Sequence, residues 1–340
     1  MSIEPPGPGP RNLITDVPGL KVGQAQNVAA RTGVTVILPD ERAVCAADVR
    51  GGAPGTRETD ALAPENLVDA VDAVVLSGGS VYGLAAADGV VAWLGARGRG
   101  YGLVEGIPKS PVVPGAILFD MANGGDKTWG EEPPYRELGK QAIAAAGLDF
   151  ELGTAGCGYG AMAGGLKGGV GSASVVTADG YTVGAVVGVN SWGSVIAPGR
   201  RTFWAAPFEL QDEFGGLGPA GLRAGPDEWG SAKRPADQRN TTIACVATDA
   251  ILTPAQAKRL AVMAQDGFAR AIRPVHAPFD GDVVFAISTG CKPLAEPANY
   301  TLARLGALAA DCLARAVARG VFEAKPWPGA YVPCWTDLAG

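Results

Sequence analysis

The segment Asn240-Thr241-Thr242-Ile243-Ala244-Cys245-Val246-Ala247-Thr248 joins a polar stretch to an apolar run that alternates like a β-strand. Upstream, residues 198–239 are rich in proline, glycine and charge, and this composition predicts a linker that stops at Asn240. A hydroxyl residue therefore stands at the start of a rigid element, where a reactive group can be held well. The segment therefore predicts a β-strand whose first residues belong to a reactive site.

Thr241 is a candidate nucleophile, because an N-terminal threonine carries its own base. If the bond between Asn240 and Thr241 is cleaved, the new α-amine, with an ordinary pKa of about 7.7–8.0, can accept the hydroxyl proton. The chain has one histidine, His276, which we expect to be structural, and this nucleophile needs none. The sequence predicts self-cleavage between these two residues. A plain strand start and a glycosylation sequon are the alternatives.

The composition is typical of a globular chain with no nucleic-acid or membrane partner. Of 340 residues, 47% are hydrophobic and 18% charged. The net charge is −6, no Lys/Arg cluster stands out, and no run of 18 apolar residues occurs. The six cysteines are scattered without a C-x-x-C motif, so we expect no disulfide framework, metal or cofactor, and a cytoplasmic location. Residues 1–12 indicate a flexible leader rather than a signal peptide.

The pattern of apolar residues predicts an α+β fold. Strands are predicted at 22–25, 33–39, 43–47, 73–76, 173–177, 182–189, 243–248 and 283–287, and helices at 81–94, 253–272 and 297–319. Asp179-Gly180 predicts a hairpin turn, and Thr253-Pro254-Ala255-Gln256 predicts a capped helix start. Strand pairs and helices come in clusters rather than in strict alternation, which favours stacked layers over a doubly wound sheet.

Four further polar residues are candidates for the same site. Asp280 and Asp282 flank a glycine directly before a strand, where two carboxylates could hold an ammonium group; solvated turn acids are the alternative. Lys167 is the single cation of a glycine-rich stretch and could counter a developing negative charge, or lie exposed in a loop. Asn190 ends a strand and could donate to an oxyanion, or form a turn.

Several motifs, in this order along the chain, carry a resemblance to a known family. They are Ile14-Thr-Asp-Val-Pro-Gly19, Arg50-Gly-Gly-Ala-Pro-Gly-Thr-Arg-Glu-Thr-Asp60, Leu76-Ser-Gly-Gly-Ser80, Ala87-Asp-Gly89, Leu166-Lys-Gly-Gly169, Asn240-Thr-Thr-Ile243 and Pro278-Phe-Asp-Gly-Asp282. Together they resemble the N-terminal-nucleophile peptidases that include DmpA-type L-aminopeptidase/D-esterases, β-peptidyl aminopeptidases and nylon-oligomer endo-hydrolases.

The resemblance covers residues 13–325 and implies one hydrolase domain with two β layers between helices, an αββα sandwich. It also implies cleavage into chains 13–240 and 241–340, hydrolysis of a small peptide or amide substrate, and a homotetramer. The tail at 326–340 lies outside the resemblance and has no predicted role.

The resemblance also implies roles for individual residues. The positions that match its catalytic set are Thr241 as nucleophile, Lys167 as the nylon-hydrolase lysine, Asn190 at the oxyanion, and Asp280 and Asp282 as the acidic pair of the nylon-type members. Two substrate-binding positions depart from the family. Phe119 replaces a tyrosine, and Ile117 replaces the acid that holds the substrate's amino group in the aminopeptidases. An apolar residue cannot anchor an ammonium group, which disfavours strict aminopeptidase action.

Three other functions remain open at this stage. An acyltransferase of the ornithine acetyltransferase type also cleaves itself before a threonine, but passes its acyl group to an amino-acid acceptor. An unprocessed chain could serve as a non-catalytic scaffold or binding protein. A cysteine-dependent enzyme is the least supported, since no cysteine stands in a convincing motif. Dipeptides, peptide amides, esters, β-peptides and oligoamides are all candidate substrates.

Overall fold

The computed structural model describes residues 6–102, 104–230, 232–233 and 240–338. These residues form twelve strands and four α-helices. The strands are β1 (Leu20–Asn27), β2 (Thr32–Pro39), β3 (Val44–Val49), β4 (Thr56–Arg57), β5 (Val74–Ser77), β6 (Gly115–Ile117), β7 (Met162–Ala163), β8 (Leu166–Lys167), β9 (Gly169–Val176), β10 (Thr182–Asn190), β11 (Thr241–Ala250) and β12 (Val283–Lys292). The helices are α1 (Ala86–Gly95), α2 (Tyr135–Ala144), α3 (Pro254–Ala271) and α4 (Ala298–Phe322).

Two five-stranded sheets stack face to face between the helices. The first has the strand order β1-β2-β5-β6-β4, and the second has the order β3-β12-β11-β10-β9. Neighbouring strands are antiparallel, except for the parallel pairs β5–β6 and β11–β12. A separate two-stranded ladder joins β7 to β8.

Three apolar clusters hold the layers together. Val90 and Leu138 pack α1 and α2 against the first sheet, and Leu76 and Phe285 lie between the two sheets. The third cluster packs α3 and α4 against the second sheet, with α3 contributing residues such as Leu260 on one stripe. Each fully buried side chain of this kind contributes about 1.5–3 kcal/mol. The predicted αββα sandwich is confirmed.

Both faces of β11 are buried, and the strand's alternation decides where its first residue points. Ile243 and Cys245 face the layer between the sheets, whereas Ala244 and Val246 face the helices. Successive side chains of a strand point to opposite faces, so Thr241 shares the inter-sheet face with Ile243. A slip of one residue in the register would turn Thr241 toward α3 and α4.

Two local predictions are confirmed by hydrogen bonds. At the hairpin between β9 and β10, Gly180 N donates to the carbonyl of Thr177 at 2.8 Å, and Gly180 has a left-handed φ of +84°. At the start of α3, Gln256 N donates to Thr253 Oγ1 at 3.3 Å, which completes the predicted capping box. Among the described residues, none of the helices combines the length and hydropathy that a membrane span requires.

Other segments differ from the prediction. The helix expected at 81–94 starts only at Ala86, because residues 80–85 form a 3-10 turn after the left-handed Gly79. The helix α2 was not predicted. Within the predicted linker 198–239, Phe203 and Phe214 are buried in the core, so its described part is packed; residues 231 and 234–239 lie outside the described residues.

Both ends of the described chain also pack on the domain. Gly7, within the predicted leader, makes a backbone bridge to Val176 of β9, while residues 1–5 lie outside the described residues. In the tail, Trp327 Nε1 donates to the carbonyl of Tyr159 at 2.6 Å, and Trp335 belongs to the core beneath α4. The tail therefore lies against the glycine-rich segment around residue 159.

Candidate active site

The ends of three neighbouring strands meet at one edge of the second sheet. Because β10 is antiparallel to β11, its last residue, Asn190, lies opposite the first residue of β11, Thr241. Because β12 is parallel to β11, its beginning lies at the same edge, and Ile243 pairs with Val283 there. The topology thus brings together residues that lie far apart in sequence.

Thr241 lies at the centre of this edge and is 3% exposed. Its Oγ1 donates a hydrogen bond to the carbonyl oxygen of Asn240, the residue that precedes it. Asn240 in turn forms a parallel bridge with Asp280. A Cβ atom on Gly281 would lie 2.7 Å from Thr241 Oγ1, so glycine at this position leaves the space that the hydroxyl occupies.

Asn190 is held from two sides. Its Oδ1 accepts a hydrogen bond from Met162 N at 2.9 Å, and its Nδ2 donates to the carbonyl of Phe119 at 3.0 Å. An asparagine amide has two N–H groups, and the second has no partner among the described residues. The side chain is 2% exposed and lies on the same sheet face as Thr241, since antiparallel partners share a face.

Lys167 is fully buried, and its ammonium group fixes a loop. Its Nζ donates three hydrogen bonds to main-chain carbonyls, those of Gly158 at 3.2 Å, Ala161 at 3.0 Å and Gly168 at 2.6 Å. The ring of Trp327 covers it, with the centroid 5.2 Å from Nζ. Burial lowers the pKa of Lys167 to about 7. The fixed loop includes Met162, so Lys167 acts on Asn190 through the backbone.

Asp282 is hydrogen-bonded both to β11 and to the segment before β12. Its Oδ1 accepts from Thr242 N at 2.8 Å. Its Oδ2 lies 2.8 Å from His276 Nδ1 and accepts from His276 N at 3.2 Å. His276 adopts a left-handed φ of +56°, which allows its main chain and its ring to reach the same carboxylate. The chain's single histidine therefore fixes Asp282, which in turn fixes the backbone beside Thr241.

Asp280 has one bonded and one unbonded oxygen. Its Oδ2 accepts from Ala277 N at 2.9 Å, whereas its buried Oδ1 has no hydrogen-bond partner among the described residues. Burial, reinforced by the nearby charge of Asp282, raises the pKa of Asp280 to about 6. Its Oδ1 can accept a hydrogen bond from a further donor at the edge where Asn240 lies.

Of the two predicted substrate-binding positions, Ile117 lies on the first sheet and Phe119 lies in the segment that follows β6. Ile117 ends β6, is 6% exposed, and donates its main-chain N–H to the carbonyl of Gly55 at 3.0 Å. Phe119 follows two residues later and bonds Asn190 through its carbonyl. The loop that contains Gly55 also reaches Asp280, whose carbonyl accepts from Ala53 N at 2.8 Å. The loop at 50–56 therefore connects the apolar positions with the acidic pair.

An aromatic cluster flanks the same edge and was not predicted. Trp192 lies two residues after Asn190, and its ring centroid is 5.2 Å from both Trp229 and Phe279. Phe279 directly precedes Asp280, and Trp229 is 41% exposed. The cluster provides an apolar wall beside the acidic pair.

Sequence reasoning also missed a buried carboxylate behind Asn190. Asp120 is 2% exposed, and its Oδ1 accepts from Gly79 N at 2.8 Å. Burial raises the pKa of Asp120 to about 6. The sequence signal for Asp120 was its position directly after Phe119. The sequence signal for a role of His276 was its position six residues before Asp282. In the described ranges, no group of three or more His, Cys, Asp or Glu residues is arranged to hold a metal ion.

Comparisons with known proteins identify the family of the chain. The family model of Peptidase family S58 matches residues 12–332. A protein named as an uncharacterized aminopeptidase of Mycobacterium tuberculosis is 45% identical over 96% of this chain and 98% of its own. The 6-aminohexanoate-oligomer endohydrolase of a Kocuria species is 29% identical over 83% of this chain and 76% of its own.

The fold agrees with a solved structure, that of the L-aminopeptidase D-Ala-esterase/amidase from Ochrobactrum anthropi, described as a variant of the Ntn hydrolase fold. The TM-score is 0.70 at 23% identity, over 95% of this chain and 89% of the other. The fold is therefore that of the Ntn hydrolases. The chain belongs to Peptidase family S58 and is a hydrolase that acts on amide bonds.

Proposed function

We propose that this chain cleaves its own Asn240–Thr241 bond and then uses the N-terminal Thr241 as the nucleophile on peptide or other amide substrates. The observation that carries the proposal is the hydrogen bond from Thr241 Oγ1 to the carbonyl of Asn240. It brings a hydroxyl to the scissile carbonyl at an edge that also holds Asn190.

Self-cleavage begins with attack of Thr241 Oγ1 on the carbonyl carbon of Asn240. The O–C bond forms, the C–N bond breaks, and the hydroxyl proton moves to the threonine nitrogen, which leaves an ester and a free α-amine. Water then adds to the ester carbonyl, so that Asn240 ends as a carboxylic acid and Thr241 regains its hydroxyl. The α-amine is the general base that the mature enzyme needs.

In the mature enzyme, Thr241 Oγ1 attacks the substrate carbonyl while its own amine accepts the hydroxyl proton. The C–N bond of the substrate then breaks, and the amine passes this proton to the leaving nitrogen, which leaves an acyl ester on Thr241. The free N–H of Asn190 Nδ2 donates to the oxyanion, and such a donor typically contributes about 10²–10³ in rate. Lys167 acts by holding the loop that positions Asn190. Asp280 orients the amine, and Asp282 holds the backbone of the next residue. Water releases the acyl group.

The substrate is an amide whose recognition does not depend on a free α-ammonium group. Ile117 supplies no carboxylate at the position that holds the substrate's amino group in the aminopeptidases, and Phe119 supplies no phenol where they have a tyrosine. The aromatic cluster of Trp192, Trp229 and Phe279 offers an apolar surface instead. Apolar acyl residues and oligoamides with alkyl spacers fit this description. A homotetramer and a cytoplasmic location stay predictions.

Denaturing intact mass of the freshly purified protein tests the proposal. We expect two fragments, 1–240 and 241–340, and hydrolysis of N-acylated peptide amides. Thr241→Ala should give a single inactive chain, whereas Thr241→Ser should still be cleaved because it keeps the hydroxyl. An uncleaved Thr241→Ala protein with full activity would exclude Thr241 as the nucleophile.

A further inference from the structure

Lys233 contacts the residue before the scissile bond. Its Nζ donates to Asn240 Oδ1 at 2.5 Å. Its main-chain N–H donates to the carbonyl of Trp192 at 3.0 Å, two residues beyond Asn190. The backbone of Lys233 is therefore hydrogen-bonded to the segment that follows β10, and its side chain is hydrogen-bonded to Asn240.

The hydrogen bond between Lys233 and Asn240 is partly buried. Asn240 is 2% exposed and forms its bridge with Asp280. A hydrogen bond with a charged donor is stronger than one between neutral groups, and partial burial at this edge strengthens it further.

We propose that Lys233 is a positioning residue for self-cleavage that has no part in later turnover; this rests on the proposed function. By fixing the side chain of Asn240, it limits rotation of that residue and keeps its carbonyl toward Thr241 Oγ1. Attack requires the reacting atoms to be held about 3–3.5 Å apart with the correct orientation. Lys233 lies seven residues before the bond, in the fragment that ends at Asn240, so it serves a reaction that happens once per molecule.

The test measures maturation rate rather than activity alone. Lys233→Met keeps the length of the side chain but removes the donor, and Lys233→Arg restores a charged donor. After a short induction, intact mass followed over time should show Lys233→Met maturing about tenfold or more slowly than wild type, with Lys233→Arg largely restored. Lys140→Met, which changes a helix-surface lysine paired with Glu137, should mature at the wild-type rate.

A double-mutant cycle separates a specific contact from general destabilisation. In an Asn240→Ala background the partner of Lys233 is absent, so Lys233→Met should add no further delay. Once fully cleaved, Lys233→Met should hydrolyse substrate with a kcat within about twofold of wild type, because the contact is not used in turnover.

Distinct results overturn the two proposals. Cleavage of Lys233→Met at the wild-type rate, or an equal delay in the Asn240→Ala background, would refute the role of Lys233 and leave the proposed function intact. A proportional loss of kcat in cleaved Lys233→Met would refute the restriction to self-cleavage. A wild-type protein that never cleaves would instead refute the proposed function itself.

Discussion

Asn190 and Thr241 are direct cross-strand partners, the last residue of β10 and the first of β11. Antiparallel partners present their side chains on the same face, so the amide of Asn190 and the hydroxyl of Thr241 both point between the two sheets. Two rigid strands hold these groups, and the precision of a site depends on such support. The pairing explains how, in the proposed mechanism, a donor and a nucleophile from distant parts of the chain act on one carbonyl.

Asn190→Ala should lower kcat by about 10²–10³, because it removes a donor to the oxyanion. Asn190→Asp keeps the shape and the acceptor that Met162 N uses, but it lacks the N–H groups, so it should lose nearly as much. Steady-state kinetics on fully cleaved protein is the measurement. A cleaved Asn190→Asp enzyme with wild-type kcat would rule out the donor role.

Gly281→Ala should block self-cleavage, because the new Cβ would lie 2.7 Å from Thr241 Oγ1 and 2.8 Å from the carbonyl of Ala53. The hydroxyl would have to leave its place beside the Asn240 carbonyl. Gly95→Ala is the matched control, because its Cβ would meet nothing closer than 3.9 Å. Intact mass should show one chain for the first variant and two for the second; normal cleavage of Gly281→Ala would contradict the described geometry.

The buried Lys167 should make stability depend on pH. Its pKa is about 7 in the folded chain against an ordinary 10.5, so between these values only the unfolded chain binds the proton. The free energy of unfolding should therefore rise with pH across this window, by up to about 1.4 kcal/mol per pH unit. Denaturant unfolding of Thr241→Ala, with and without Lys167→Met, measures it.

The Lys167→Met derivative isolates the contribution of this one amine to the pH dependence. The difference between the Thr241→Ala chain and its Lys167→Met derivative should grow with pH from about 7 to 10.5. A difference that stays constant with pH would mean that this amine titrates as an ordinary lysine.

His276 should act on activity through Asp282. His276→Gly tolerates the φ of +56° but removes the ring that contacts Asp282 Oδ2, and we expect kcat to fall about tenfold, as for the loss of one hydrogen bond to a charged group. His276→Asn tolerates the same backbone and keeps a donor, so it should recover most of the rate. Equal kcat for all three proteins would show that the contact does not position the site. A change in KM alone would point to substrate binding instead.

Ile117→Glu should shift specificity toward substrates with a free amino group, because it restores an acid where the chain has an apolar residue. The ratio of kcat/KM for free-amine over N-acetylated peptides should rise about tenfold, which corresponds to about 1.4 kcal/mol. Ile117→Gln has the same shape without the charge and should leave the ratio unchanged. An unchanged ratio in both variants would place the amino end of the substrate elsewhere.

The sequence determined several local elements and pointed to Thr241 as the proposed nucleophile. Alternation in residues 243–248 and the capping signals at Thr253 predict their strand and helix from neighbouring residues alone, as does the hairpin signal at Asp179-Gly180. The prediction of a linker at 198–239 was wrong for the described part of that segment. Its composition is that of a loop, but Phe203 and Phe214 are buried by contacts with distant elements.

Only the tertiary structure decided which groups meet Thr241. Residues of β10, β11 and β12 come together because strand order and direction place one end of each at the same edge. The three carbonyl partners of Lys167, the contact of His276 with Asp282 and that of Lys233 with Asn240 depend on backbone paths that no local pattern encodes. Local propensity acts over a few residues, whereas a site is built from long-range packing. The sequence therefore named the proposed nucleophile, and the fold supplied its neighbours.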